Sequence, residues 1–302
     1  RGAHWVASAR PRGATSQGMR TVCCLWALLT LAAGVYGAES AEDLLRQRRL
    51  PEAEAAFTLR VQRDARDAEA HHQLGRLALA RRDFAAAMPH LEKAAELEPA
   101  RAEYQFHYGA ACVQHADQLG KTFKALGLAR RGRAAMERAA ELAPDRAEYQ
   151  HGLIEYFARA PAIAGGSMEK ARAYAQALRA RDPREGTLAL ASLHLRARQP
   201  GEAIALYTAH LSHQPDDYQV LYLLGRAAAD AGEQVEAGRA ALERCLRLPP
   251  PPRGVPHAVV NFHLGRLHQH AGDFDAARRA YAAALALEPD HTAARAALDA
   301  LP

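Results

Sequence analysis

The sequence predicts an all-α chain of helical pairs stacked in series, an α-solenoid, on three observations. Leu74-Gly75-Arg76, Leu224-Gly225-Arg226 and Leu264-Gly265-Arg266 each precede an Ala (Ala87, Ala237, Ala277) and a Pro (Pro99, Pro249, Pro289), with Leu-to-Pro intervals of 25 and Ala-to-Pro intervals of 12 each time. A fixed period of this kind marks repeated supersecondary units, each too small to bury its own apolar face. The stretches between these anchors are rich in Ala, the strongest helix former. No run alternating apolar and polar residues competes as a strand.

The elements follow in chain order. Residues 1–18 precede Met19-Arg20 and read as sequence upstream of a start at Met19. Val22 to Tyr36 is a 15-residue apolar run between Arg20 and Gly37-Ala38, the arrangement of a secretory signal over 19–38. It is shorter than the about 20 residues that span a bilayer. The expectation is a periplasmic or secreted chain with no transmembrane segment after cleavage, and an uncleaved inner-membrane anchor is the second reading. Repeat units are expected at 40–67, 68–101, 102–146, 147–185, 186–217, 218–257 and 258–291, with a cap at 292–302. Ala53 and Phe57 anchor the first, although Ala65 replaces its Pro. Pro144, Pro183 and Pro215 close the weaker units, with Gly132, Ala171 and Ala203 standing 12 residues before them. Ala294, Ala297 and Leu298 share one helical face, as a cap over the last open edge requires. Pro249 to Pro252 forms a stiff connector before the final unit.

Two units depart from the regular length. Tyr108 to Pro144 spans 36 residues instead of 25, and the additional residues correspond to about three helical turns. In the next unit, Ala160 to Ser167 reads as an enlarged turn closed by a Ser167 helix cap. Both irregularities fall between the paired helices, so they are expected on one edge as a single protruding feature. Its plainer role is a packing brace. Its functional role would be a binding edge carrying Lys121, Lys124, Arg130, Arg131, Pro161, Gly165 and Gly166.

The anchors are similar to those of the tetratricopeptide repeat. The best copies read His71, Leu74, Gly75, Ala78, Ala87, Leu91, Pro99 and Asn261, Leu264, Gly265, His268, Ala277, Tyr281, Pro289. The family's frequent leading Trp is absent throughout. The resemblance implies about seven helix pairs in a right-handed superhelix with a C-terminal capping helix. It also implies that the first helix of each pair lines a concave groove, with the residue after the Gly and the one three before it projecting inward. Those residues are Arg76 with His72, Arg226 with Tyr222 and Arg266 with Phe262, while the middle units offer Phe106 and His151. Each ring and guanidinium are spaced i and i+4, on one helical face, an arrangement able to hold a carboxylate. The leading expectation is a non-enzymatic scaffold or adaptor holding a peptide or protein segment in this groove, in cell-envelope assembly. The second is an accessory or sensor subunit taking a small molecule or envelope polymer at the edge.

Other classes find little support. The formal charge of +5 falls to +1 when the four arginines of residues 1–38 are set aside, and no basic stripe points to nucleic acid. Cys112 and Cys245 lie in separate repeats and read as buried packing rather than as a disulfide. Ser167-Met168-Glu169-Lys170 lacks the companion motifs of serine acyl enzymes. Gly120-Lys121-Thr122 has His115 where a phosphate loop needs Gly. No catalytic residue and no cofactor are therefore expected. His71-His72 and His263, His268 and His270 are the densest histidine groups, but none has a Cys or paired carboxylate at ligand spacing beside it. No metal site is expected from them.

Overall fold

A computed structural model describes residues 39–302; the upstream and signal segments read at 1–18 and 19–38 lie outside the described residues. Among the described residues the chain forms fifteen α-helices and one 3-10 turn, with no strand. Seven helix pairs succeed one another: α1 (Ala41–Arg46) with α2 (Leu50–Arg63), α3 (Ala68–Ala80) with α4 (Phe84–Leu97), and α5 (Ala102–Leu119) with α6 (Phe123–Leu142). Then come α7 (Ala147–Arg159) with α8 (Met168–Arg181), α9 (Pro183–Arg196) with α10 (Pro200–Leu211), α11 (Tyr218–Ala231) with α12 (Val235–Arg247), and α13 (His257–His270) with α14 (Phe274–Leu287). The single helix α15 (Thr292–Asp299) packs on α14. Every helix touches the next, and the first helices also touch across units at α3–α5, α7–α9 and α11–α13, where they form an inner layer.

Local chemistry sets the helix ends. Asp67, Asp83, Asp217 and Asp273 cap α3, α4, α11 and α14 by accepting a backbone N–H three residues on. Pro99, Pro144 and Pro289 follow α4, α6 and α14 by two residues, where the chain cannot continue a helix. Pro183 differs: it opens α9 as its first residue, directly after Asp182, which ends α8 and caps α9. Pro at that position loses no hydrogen bond, because the first N–H of a helix is unpaired in any case. The turn inside the regular pairs needs one left-handed residue, supplied by Gly232 (φ 68°) and Gly272 (φ 76°) but by Arg48 (φ 60°), Arg82 (φ 60°) and Arg198 (φ 59°) in other units.

The Gly of the Leu-Gly-Arg anchor is a packing residue. A Cβ on Gly75, Gly225 or Gly265 would lie within 3.0 Å of Leu91, Leu242 or Tyr281 on the paired helix. Ala87 and Ala277 meet the expectation of a small buried residue on the facing helix, but Ala237 is only partly buried. Its place is taken by Gly238, where a Cβ would stand 2.6 Å from Ala228 Cβ. The α11–α12 turn has the usual three residues, but α11 runs one residue further past its Gly than α3 and α13 do, so α12, entered through the left-handed Gln234 (φ 49°), starts one position later. In the third unit the helices reach 18 and 20 residues, against 13 and 14 for α3 and α4. They cross at Gly109 and Gly132, where a Cβ on either would sit 2.7–2.8 Å from the other's carbonyl oxygen. Cys112 and Cys245 are buried, and neither forms a disulfide among the described residues.

Candidate functional site

The two irregularities meet in space and build a cleft. Gly120 (φ 63°) turns the chain after α5, and Thr122 caps α6 by accepting from the Ala125 N–H at 3.0 Å. That cap leaves Phe123 at the tip of the hairpin, 96% exposed. Opposite stands the loop after α7, where Pro161 leads into the 3-10 turn Ala162–Ala164 and Gly165 (φ 89°) reverses the chain. Tyr156 Oη donates to the Ala164 carbonyl at 2.6 Å, and the Ser167 N–H donates to the Phe157 carbonyl at 2.9 Å, so the loop is tied to α7. Arg130 on α6 donates to the Ile163 carbonyl at 3.2 Å, which ties the loop to the hairpin as well. Ile163 is held 70% exposed.

Between these walls lies a cleft of about 810 Å³, floored by Ala116, Ala125, Leu126, Ala129 and Ala164 and flanked by Phe123, Pro161 and Ile163. It shares six residues with a second hollow of about 290 Å³ that runs between α5 and α7 past Phe106, Ala110 and Gly152. The edge feature and the inner helix layer therefore open into one another. Lys121, Asp117 and Arg159 stand on the rim. Arg159 and Asp117 approach to 3.8 Å with both side chains mostly exposed, a pairing worth little in water.

Not every expected edge residue joins this cleft. Lys121 and Pro161 line it, Arg130 braces it, and Gly165 and Gly166 shape its loop; a Cβ on Gly166 would overlap the Ala160 carbonyl. Lys124 is exposed beside Phe123 but lies outside the lining. Arg131 points away, to Glu92 on α4 at 3.4 Å.

The inner-layer residues separate in the same way. His72 and Tyr222, expected to project into the groove, are buried at 1% and 7% exposure. The next unit's first helix covers each: His107 and Tyr104 of α5 lie over His72, and His263 of α13 lies over Tyr222. Burial, and then the charge of neighbouring groups, pushes His72 down to about 3, His107 to about 4 and His263 to about 4. All three imidazoles are neutral near pH 7. Arg266 is paired with Asp230 and donates to the Ala229 carbonyl at 3.0 Å, while Phe262 packs on His263, Tyr281 and His291. His151 is held by Glu185 at 3.0 Å. Phe106 stacks beside Tyr149 at 4.7 Å and lines the hollow. Arg76 is exposed and, among the described residues, hydrogen-bonds only Gln73, at 3.3 Å, and the Arg226 guanidinium lies 5.7 Å from the Tyr222 ring.

One grouping escaped the sequence. Glu103 and His107 of α5 meet His72 of α3, bringing a carboxylate and two imidazoles together. Glu103 and His107 are four apart, a legible signal on a helix, but the third member comes from the preceding repeat.

Residues 68–101, 188–251 and 258–291 each match sequence models of the tetratricopeptide repeat. Among curated proteins nothing matches. Among solved structures, a tetratricopeptide repeat protein of Parabacteroides merdae is similar at 12% identity, with 86% of this chain and 94% of that one covered and a TM-score of 0.55. The C-terminal part of a repeat protein from Cytophaga hutchinsonii is similar at 15% identity, covering 85% and 98%, with a TM-score of 0.54. PilW, a type IV pilus biogenesis factor, is similar at 17% identity over 76% and 98%, with a TM-score of 0.52. At these identities the likeness concerns the fold. The three repeat matches identify the chain as a tetratricopeptide repeat protein.

Proposed function

We propose that this chain is a non-catalytic adaptor that holds an extended segment of a partner protein in the cleft between the α5–α6 hairpin and the 161–166 loop. Tetratricopeptide repeats are protein-interaction scaffolds, so a protein or peptide is the class of partner. Among the described residues no helix is long and apolar enough to cross a membrane. The observation that carries the reading is the exposure of Phe123 and Ile163 on facing walls of an apolar cleft. Each costs free energy in water, and covering a large apolar side chain returns about 1.5–3 kcal/mol. A bulky apolar residue of the partner would be covered by them, and Lys121, on a rim where Arg159 is already beside Asp117, favours an acidic residue next to it. The signal read at 19–38 sets this proposal in the cell envelope, which fractionation of the full-length protein tests.

A second reading rests on Arg226. Among the described residues it has no carboxylate partner, and it lies over Tyr222 in the inner layer, as a site for an acidic side chain or chain terminus requires.

Peptides selected from a random display library against the purified chain separate the two readings. The cleft reading expects Phe123→Ser and Ile163→Ser each to weaken the selected peptide about 10–100-fold, the value of one large apolar contact, with the unfolding midpoint unchanged. Arg226→Ala would leave binding alone. Loss of binding in Arg226→Ala with both Ser variants unaffected would transfer the function to the groove. Indifference to all three substitutions would refute both.

A further inference from the structure

The contact between the second and third repeats assembles three metal-ligating side chains that no comparison assigns. His72 Nε2 lies 2.8 Å from His107 Nδ1 and 4.0 Å from Glu103 Oε1, and the three ligand atoms all fall within 4.8 Å of one another. Two of the ligands stand one turn apart on α5, so a single helix sets their spacing. The third is set by the packing of α3 on α5. The environment is otherwise hard to account for. His72 is buried, its ring lies tilted against Tyr104 at 4.4 Å, and its Nδ1 has no hydrogen-bond partner among the described residues. Two imidazole nitrogens facing each other at hydrogen-bond distance can share only one proton between them, a weak return for burying one ring and half-burying the other.

We propose that His72, Glu103 and His107 bind a divalent transition metal of the zinc class, joining the second and third repeats across their inner helices. Two imidazoles and one carboxylate form a common donor set for that ion. Zinc–ligand bonds of about 2.0–2.1 Å at tetrahedral angles put ligand atoms about 3.3 Å apart, so the imidazoles part by about 0.5 Å, within the reach of small side-chain rotations. Glu103 is 42% exposed and leaves the solvent side of the site open to a water as fourth ligand. The charges around the site are mixed. Glu103 and, beyond it, Glu148 favour a cation, whereas Arg76 and Arg101 oppose one. Arg101 is already engaged by Glu69 and Glu98, each at 3.4 Å. Arg76 has no acidic partner among the described residues and is the main electrostatic opponent. Because His72 and His107 come from consecutive repeats, a bound ion would add a metal cross-link to two units already joined by packing, by the Tyr104–Glu69 hydrogen bond and by the Arg101–Glu69 and Arg131–Glu92 ion pairs.

Zinc(II) titration of the full chain against a chromophoric chelator tests this, with His107→Ala, Glu103→Gln, Arg76→Ala and the exposed-histidine control His213→Ala. The expected result is one ion per chain, with the unfolding midpoint raised by zinc. Loss of a direct ligand in His107→Ala or Glu103→Gln should weaken binding at least as much as the about 10–100-fold typical of outer-shell losses. His213→Ala should match the parent, and Arg76→Ala should bind more tightly. Cobalt(II) should show visible bands of a low-coordinate site in the parent and lose them in His107→Ala. Absence of stoichiometric binding, or equal binding by His107→Ala and the parent, overturns the proposal. Glu103→Gln keeps the test sound if His107→Ala fails to fold, because Glu103 is partly exposed and Gln preserves its shape.

Discussion

Replacing Gly225 by Ala tests the packing argument against a residue that looks equivalent in the sequence, Gly127. Both lie inside helices, α11 and α6, where Ala is favoured over Gly by about 0.8–1.0 kcal/mol. Their surroundings differ. Among the described residues a Cβ on Gly127 meets nothing within 4 Å, so Gly127→Ala should gain the full propensity term. A Cβ on Gly225 would come closer than 3.0 Å to both Cγ and Cδ2 of Leu242, which is fully buried in the largest core cluster. Leu242 must leave its rotamer or α12 must move outward, an overpacking cost of about 1–3 kcal/mol. The net effect at Gly225 runs from nearly neutral to a loss of about 2 kcal/mol, and the gap between the two variants is the overpacking cost itself. Thermal and urea unfolding followed by circular dichroism reads this gap, at about 2–4 °C per kcal/mol for a chain of this size. Repeat arrays can open piecewise, so hydrogen exchange across α11 and α12 should show the loss there and not in α3 and α4. A midpoint raised as much by Gly225→Ala as by Gly127→Ala would refute the close-approach reading.

Two further predictions concern backbone strain and acid sensitivity. Arg198 occupies a left-handed turn position (φ 59°) that Gly272 fills in the last repeat, so Arg198→Gly should stabilise the chain by about 0.5–1 kcal/mol and Gly272→Arg should destabilise it; equal midpoints for parent and variants would count against this. His72, His107 and His263, held at about 3, 4 and 4, are protonated in the unfolded chain near 6.5 and not in the folded one. Stability of the metal-free protein should therefore be full above pH 6.5 and fall toward pH 4, by about 1.4 kcal/mol per pH unit for each histidine. His263→Asn should flatten that slope in a urea-midpoint series, and a parent whose midpoint does not change over this range would contradict the burial argument.

The parts of this protein legible in the sequence are those set within a repeat or between a repeat and its copy. Leu74, Gly75, Ala87 and Pro99 recur because each unit packs its two helices in the same way, so the period reports the fold directly. The length of the third pair was legible too, since eleven further residues make about three helical turns, and its helices are longer than those of the second pair, 18 and 20 residues against 13 and 14. Where backbone conformation intervenes, spacing misleads. One further residue at the end of α11 starts α12 one position later and moves the close-approach role from Ala237 to Gly238, while the Ala-to-Pro count stays intact.

The candidate sites depended on contacts between repeats. His72 is spaced to project from α3, yet α5 covers it, and the ring becomes a buried neighbour of His107 rather than a groove residue. Arg131 shares the basic hairpin with Lys121 and Arg130 but faces α4. The sequence by itself determined a helical repeat array with two irregular units on one edge, because helix periodicity and unit length are local properties. Only the tertiary structure decided that these irregularities close on a cleft between Phe123 and Ile163, and that His72 meets Glu103 and His107. The physical reason is that both outcomes depend on how one unit is placed on the next. Side-chain packing across the whole inter-repeat contact sets that placement, and no single motif encodes it.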